Sequence, residues 1–136
     1  MKKQPRRAAT IAHIGIAVRD LDAILPFYRN ILGLEQVPIA DADGARIVGL
    51  AVGDSLVELL ESSDPSSPIG KFIAARGPGI HHLCFAVDDL DAVLKRCVAA
   101  GLRLIDQHPR IGAEGKRIAF IHPASTAGVL VELTER

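Results

Sequence analysis

The sequence predicts an α+β domain made of two tandem βαβββ units, and three observations support this fold class. The length of 136 residues suits one domain. A hydrophobic content of 49% is enough to build a packed core. A segment that begins at His13 recurs at His82, and such self-similarity is typical of folds assembled from repeated units. We therefore expect residues 11–136 to form one domain with two similar halves.

The internal repeat also defines the order of elements within each half. Residues 13–25 and 82–94 are identical at 8 of 13 aligned positions. The tripeptide Val-Glu-Leu then occurs at residues 57–59 and again at 131–133. Each half therefore begins with a strand, continues through a helix that starts at an Asp, and ends in the strand that contains Val-Glu-Leu. The two halves span about residues 11–61 and 80–135.

The helix of the second half has the clearer pattern. Its apolar residues recur at the spacing i, i+3, i+4, i+7 and i+8, at Leu90, Val93, Leu94, Cys97 and Val98. Asp88 or Asp89 can cap its start, and Gly101 occupies the position where a helix commonly ends. The equivalent helix of the first half covers about residues 20–32. Because Pro26 lies inside it, we expect its opening turn to be kinked or 3₁₀.

The remaining segments predict strands and one short helix. The short helix, residues 69–75, lies in the Ser-, Pro- and Gly-rich connection between the halves. Alternation along the first strand puts His13 on one face with Gly15 and Ala17. The same alternation puts His82 with Cys84 and Ala86, and it predicts that His81 faces the other way. The predicted strands are residues 11–18, 45–52, 55–61, 80–87, 102–108, 117–122 and 128–134.

Composition excludes several classes of protein. Sixteen basic residues balance sixteen acidic ones, so a nucleic-acid or membrane-surface role is not expected. Residues 1–10 form a basic segment without an apolar run, which predicts a disordered tail rather than a signal or transit peptide. Two cysteines, Cys84 and Cys97, are too few for a disulfide framework and favour free thiols in a reducing compartment. We therefore expect a cytoplasmic protein.

Two histidines and two glutamates recur at matching points of the halves. Glu58 and Glu132 occupy equivalent places in the two late strands, just as His13 and His82 do in the first strands. A carboxylate at the centre of a half-buried strand is costly unless a positive charge compensates it. Packing alone gives no reason to repeat His and Glu in both halves. Mixed His and carboxylate ligands suit Co²⁺, Mn²⁺, Ni²⁺, Fe²⁺ or Zn²⁺ better than Mg²⁺ or Ca²⁺, so these four residues predict a divalent metal site.

Several longer motifs carry a resemblance to a known family. On these motifs the sequence resembles the vicinal oxygen chelate (glyoxalase) superfamily, and within it the methylmalonyl-CoA epimerases, from about residue 11 to residue 135. The motifs are HIGIAV (13–18), FYR (27–29), VELLE (57–61), SPI (67–69), RGPGIHH (76–82), GAEGK (112–116) and HP (122–123) before GVLVEL (128–133).

The resemblance implies a fold, a metal site and a reaction. The fold is a curved mixed β-sheet around a metal site. The site holds one divalent ion per subunit, with Co²⁺ favoured. The implied ligands are His13, His82 and Glu132, with Glu58 at the fourth ligand position. The reaction is the interconversion of (2R)- and (2S)-methylmalonyl-CoA by 1,1-proton transfer through a metal-stabilised enolate. An acyl-CoA substrate, a homodimer and a place in propionate metabolism are also implied.

The sequence departs from the family pattern at one position that matters for catalysis. Some relatives have Gln at the position of Glu58 and place a separate catalytic Glu three residues after the glycine that corresponds to Gly44. This chain has Ile47 there. We therefore take Glu58 and Glu132 as the two proton carriers, a hypothesis that Glu58→Gln would test. The alanines Ala124 and Ala127 stand where relatives often have Lys and Gly.

Other residues are candidates for substrate contact, and two other functions stay open. The candidates are Lys116, Arg117, His122, Ser125 and Thr126. A glyoxalase I-like lactoylglutathione lyase would use a similar metal set, although the SPI and GIHH segments speak against it. A metal-free small-molecule binding protein is the third possibility, and the complete set of four ligands argues against it.

Overall fold

The computed structural model describes residues 7–136. The tail expected over residues 1–10 therefore lies largely outside the described residues, and the first strand begins at Thr10. One sheet contains eight strands within the described part of the chain. They are β1 (Thr10–Val18), β2 (Gln36–Val37), β3 (Ala45–Val52), β4 (Ser55–Ser62), β5 (Gly79–Val87), β6 (Arg110–Ile111), β7 (Arg117–Ile121) and β8 (Val131–Glu135).

The strand order is β2-β3-β4-β1-β5-β8-β7-β6, so the order of strands in the second half is the reverse of that in the first. The halves meet where β1 pairs with β5 in antiparallel orientation. Within the halves, β1 pairs in parallel with β4 and β5 pairs in parallel with β8. The outer pairings are antiparallel. The sheet is thus mixed, and it curves into a half-barrel. The predicted fold class is confirmed.

Three α-helices accompany the sheet in residues 7–136, and each begins at a side-chain cap. They are α1 (Leu21–Pro26), α2 (Pro68–Arg76) and α3 (Leu90–Ala99), with caps at Asp20, Ser67 and Asp89. In each case the capping oxygen accepts a hydrogen bond from a backbone N–H of the first turn. Among residues 7–136, no helix has the length and apolar character needed to cross a membrane.

The prediction for the first helix was wrong about where the irregularity lies. The opening turn is regular α-helix, and a π-helical segment, Phe27–Ile31, follows Pro26. Pro26 has no N–H to continue the α-helical hydrogen bonding, and the next turn widens. The N–H of Leu32 consequently donates to the carbonyl of Phe27, five residues earlier.

The strand predicted at residues 102–108 does not form. Its only ladder contact is an isolated bridge between Leu104 and Ile121. The carboxylate of Asp106 accepts the N–H of Phe120 at 2.8 Å, so a side chain takes the place of a backbone partner. The edge of the sheet is instead built by the two-residue strand β6, which the sequence did not predict.

Different helices pack on the two faces of the sheet. On one face, α1 packs on apolar side chains that include Val57 and Leu59, and α3 packs on others that include Leu133. The alternate positions, Glu58 and Glu132, therefore point to the opposite face. Helix α2 packs on this second face through Ile69 and the residues around it. The face with α2 is the one that holds the histidines.

An ion-pair arrangement anchors the start of α3. Glu135 accepts the N–H of Leu90 at 3.0 Å. Arg117 bridges Glu135 at 3.2 Å and Asp91 at 3.0 Å. The carboxylate thus satisfies an amide at the helix N-terminus, where negative charge is also favourable.

The first half repeats this arrangement at the start of α1. Glu61 accepts the N–H of Leu21 at 2.7 Å. Arg46 lies 3.2 Å from Asp22 and 3.6 Å from Glu61. Because a Glu accepts the first helical amide in both halves, these repeated charges stabilise the helix starts. They lie away from the histidines.

We expect Glu135→Ala to lower the free energy of unfolding by about 1–2 kcal/mol, because it removes the acceptor for the Leu90 amide and a partner of Arg117. Urea unfolding followed by circular dichroism measures this change. Glu35→Ala, at an exposed acid, is the control and should cost about 0.5 kcal/mol or less. Equal effects of the two variants would contradict the anchoring role.

Candidate active site

A cavity of about 270 Å³ lies on the face of the sheet that carries α2. Its walls include the four residues that the sequence predicted as metal ligands: His13 on β1, Glu58 on β4, His82 on β5 and Glu132 on β8. All four side chains are buried. Because β4, β1, β5 and β8 are consecutive in the sheet, one predicted ligand comes from each of four adjacent strands.

Gly15 makes room for this cluster. It is paired with Glu58 across the β1–β4 ladder and with His82 across the β1–β5 ladder. A Cβ atom at this position would lie 2.2 Å from Cε1 of the His82 ring. The small residue that the sequence places after His13 is therefore a requirement of the site, because any side chain would displace an imidazole.

Three donor atoms converge on one point of the cavity. The Nε2 atoms of His13 and His82 are 3.0 Å apart. Oε1 of Glu132 lies 3.0 Å from Nε2 of His13 and 3.2 Å from Nε2 of His82. We call these three atoms the donor triangle. Glu58 meets the other nitrogen of the first imidazole, with its Oε2 3.0 Å from Nδ1 of His13.

His81 corrects an expectation from strand alternation. It was predicted to face away from His82, but it lines the cavity and its Nδ1 lies 2.9 Å from Nδ1 of His82. The cause is a bulge: Gly15 pairs with His82 and Ile16 pairs with Ile80, so His81 is the extra residue. Burial, and then the neighbouring His82, lowers the pKa of His81 to about 4. Neutral His81 can therefore accept a hydrogen bond from Nδ1–H of His82. In that tautomer, Nε2 of His82 carries a lone pair that faces the triangle.

The two glutamates have opposite electrostatic surroundings. Burial alone would raise the pKa of Glu132, but hydrogen bonds from His13 and His82 outweigh it and lower the pKa to about 2. For Glu58, burial and then contact with Glu114 raise the pKa to about 9. One carboxyl is thus held ionised beside the imidazoles, and the other retains its proton in the protein alone.

With this geometry in view, comparison with known proteins identifies the family. Residues 12–120 match the model of the Glyoxalase/Bleomycin resistance protein/Dioxygenase superfamily. The chain belongs to this superfamily. It is 39% identical to an ethylmalonyl-CoA/methylmalonyl-CoA epimerase of Cereibacter sphaeroides, over 90% of this chain and 95% of that protein. The resemblance stated from the sequence is confirmed.

Solved structures of the superfamily match closely. A methylmalonyl-CoA epimerase from Mycobacterium tuberculosis superposes with a TM-score of 0.87 at 41% identity, covering 92% of this chain and 86% of that one. A methylmalonyl-CoA epimerase in complex with methylmalonyl-CoA and NH₄⁺ superposes with a TM-score of 0.87 at 37% identity, covering 95% of both chains.

The donor triangle of this superfamily member fits a divalent cation. Two ligands at right angles, each about 2.1 Å from one ion, lie about 3.0 Å apart, which matches the edges of the triangle. Two imidazoles with one carboxylate are a donor set typical of transition metals with open positions. Cys84 also lies beside His13 and Glu132. Burial raises the pKa of the Cys84 thiol, and a protonated thiol is a poor ligand.

Of the five residues predicted to contact substrate, only Lys116 lines the cavity. Arg117 is held by Asp91 and Glu135 at the start of α3. The other three shape the turn before β8. His122 accepts the N–H of Ala124, Ser125 accepts the N–H of Arg103, and Thr126 donates to the carbonyl of Val129.

Sequence reasoning missed two acids of the cavity wall, Asp43 and Glu114. A signal was present, because Ala-Asp-Gly-Ala-Arg-Ile at residues 42–47 recurs as Ala-Glu-Gly-Lys-Arg-Ile at 113–118. In both copies the acid precedes a glycine in the left-handed region, with φ of 71° at Gly44 and 76° at Gly115. Ile47, where the sequence departs from the family pattern, also lines the cavity.

Gly15→Ala should weaken cation binding while the protein still folds. The added methyl would push the His82 ring out of the donor triangle, and we expect affinity for Co²⁺ to fall at least tenfold. Titration of Co²⁺ followed by its visible absorption measures this. Urea unfolding of the same preparation should give a loss of about 1–3 kcal/mol, the usual cost of overpacking. Unchanged Co²⁺ affinity would show that His82 is not a ligand.

Proposed function

We propose that this protein is a metal-dependent methylmalonyl-CoA epimerase that interconverts the (2R) and (2S) forms of its substrate. The observation that carries the proposal is the donor triangle of His13, His82 and Glu132. Similarity to methylmalonyl-CoA epimerases over at least nine-tenths of the chain supports the choice of substrate. Other members of a superfamily can share such a site with different chemistry, so the substrate is the part to be tested.

His13, His82 and Glu132 would hold the cation, with Glu58 as the fourth ligand. A divalent ion there, for which we propose Co²⁺, would act as a Lewis acid towards substrate oxygen and stabilise negative charge on it. The protein supplies the remaining conditions. Walls built from apolar side chains such as Ile47, Leu60 and Ile118 keep water from the reacting carbon.

Glu58 and Glu132 are our two proton carriers. A 1,1-proton transfer removes a proton from one face of the carbon and returns one to the other face, so two groups serve it better than one. The glutamates lie on β4 and β8, on either side of the two histidine strands. In the protein without a cation their pKa values are displaced in opposite directions, because Glu58 is buried beside Glu114 and Glu132 contacts both imidazoles.

The CoA part of the substrate would extend from the cavity towards Lys116. This exposed residue lines the cavity rim, where a cation can meet a phosphate. We further propose a cytoplasmic homodimer that acts in propionate metabolism. Two buried free cysteines support a reducing compartment, and exposed apolar side chains such as Ile31 and Ile80 support self-association.

The reaction is tested by isotope exchange. The Co²⁺-loaded protein in D₂O should incorporate deuterium at carbon 2 of methylmalonyl-CoA, and a chelator should stop the incorporation. Mass spectrometry measures it, and isomerisation of the hemithioacetal of glutathione and methylglyoxal is assayed in parallel. Exchange without hemithioacetal turnover supports the epimerase. Hemithioacetal turnover alone would identify a glyoxalase I-like enzyme, and binding without either reaction would identify a binding protein.

Glu58→Gln tests the pair of proton carriers. The amide keeps the shape and one coordinating oxygen but cannot move a proton, so we expect kcat to fall by about 10²–10⁴. The Co²⁺ content of the variant is measured at the same time. Full epimerase activity in a metal-loaded Glu58→Gln protein would contradict the two-glutamate hypothesis.

A further inference from the structure

His81 is a polar side chain of the cavity wall that has no part in the proposed function so far. It is the extra residue of the bulge in β5, and for that reason it lines the same cavity as His82. Its half-buried ring packs edge-to-face against both His82 and Phe72 of α2, with a centroid distance of 5.1 Å in each case. These two contacts hold the imidazole in one orientation.

The contact between the two histidines decides which nitrogen of His81 carries the ring hydrogen. Nδ1 of His81 and Nδ1 of His82 are 2.9 Å apart, so one of them donates and the other accepts. A cation in the donor triangle takes the lone pair of Nε2 of His82, and the ring hydrogen of His82 is then on Nδ1. His81 must accept that hydrogen bond through its own Nδ1. Because a neutral imidazole has one donor and one acceptor nitrogen, the hydrogen of His81 is on Nε2.

The Nε2 atom of His81 is free to bind a ligand. Within the part of the chain that the structure describes, it has no hydrogen-bond partner, and the ring pairs only through Nδ1. It is also not one of the buried polar atoms that lack a partner, so open space lies beside it. A polar N–H with open space beside it, on a side chain of a largely apolar cavity wall, is the kind of group that orients a bound small molecule.

The basic side chains of the cavity wall are engaged elsewhere. Arg110 pairs with Asp106 at 3.4 Å, and Lys116 is exposed at the rim, where we place the CoA part of the substrate. A carboxylate or carbonyl oxygen that enters the cavity needs hydrogen-bond donors, because burial without them is costly. His81 is in direct contact with the ligand His82 and can supply such a donor beside the cation.

We propose that His81 is a further substrate-binding residue, which donates a hydrogen bond from Nε2 to an oxygen of the malonyl group. The proposal rests on the proposed function, because it needs a cation at His82 and an acyl-CoA in the cavity. The malonyl group has two kinds of acceptor oxygen, in its carboxylate and in its thioester carbonyl. Because hydrogen bonds in a chain polarise one another, a cation on His82 strengthens the Nε2–H of His81 as a donor.

Two substitutions of His81 separate the roles of its two nitrogens. His81→Asn places an amide oxygen near the position of Nδ1, so it can still accept from His82 but has no donor near Nε2. His81→Gln places its amide near the position of Nε2, so it can still donate to substrate but gives His82 no acceptor. His108→Asn, at an exposed histidine outside the cavity, is the control.

The test measures two affinities of the full chain. Calorimetric titration of the Co²⁺-loaded protein gives the affinity for methylmalonyl-CoA, and visible absorption gives the affinity for Co²⁺. His81→Asn should bind methylmalonyl-CoA about tenfold or more weakly than the wild type, with Co²⁺ affinity within about threefold. His81→Gln should bind Co²⁺ about tenfold or more weakly and, once loaded, should keep its substrate affinity within about threefold. The control should change neither affinity.

Propionyl-CoA, which lacks the carboxylate, identifies the oxygen that His81 binds. A bond to the carboxylate predicts that His81→Asn weakens binding of methylmalonyl-CoA alone, and a bond to the thioester carbonyl predicts that it weakens binding of both. Unchanged affinity of His81→Asn for methylmalonyl-CoA would overturn the proposal. Equal losses of Co²⁺ and substrate affinity in that variant would also overturn it, because they indicate a purely structural role. Failure of the proposed function looks different, since the Co²⁺-loaded wild type would then exchange no deuterium into methylmalonyl-CoA.

Discussion

The antiparallel pairing of β1 with β5 is the contact on which the rest of the structure depends. It joins the two halves and brings the Nε2 atoms of His13 and His82 to 3.0 Å. Gly15 permits this approach, because its missing side chain leaves the space that the His82 ring occupies. Neither half could form the donor triangle alone, since each contributes one imidazole. Folding of the whole domain is therefore a condition for the site.

Repetition serves two different purposes in this chain. On one side of the sheet it repeats a helix anchor, in which Arg46 or Arg117 bridges acids and a Glu accepts the first helical amide. On the other side it repeats His and Glu at positions where a lone polar residue would be costly. Local hydrogen bonding fully explains the repeated helix anchor. The repeated His and Glu residues are explained only when both copies share one cavity.

Much of the fold could be predicted from the sequence, because period-2 and period-3.6 patterns report which face is buried. The internal repeat selected four residues, two histidines and two glutamates, that the structure places in the wall of one cavity. The prediction failed where a tertiary detail decided the outcome. His81 faces the cavity because a bulge shifts the alternation by one residue. Residues 102–108 are not a strand because the Asp106 side chain takes a backbone partner. Glu114 was missed because it lies on a turn, where no periodicity marks the direction of a side chain.

Symmetry of the backbone does not make the two halves equivalent in their chemistry. Glu58 and Glu132 occupy matching strand positions, yet Glu132 contacts both imidazoles whereas Glu58 contacts His13 and faces Glu114. The first environment favours the ionised carboxylate and the second favours the protonated acid. The duplicated scaffold places two carboxyl groups at matching positions, and the unequal neighbours around them displace their pKa values in opposite directions.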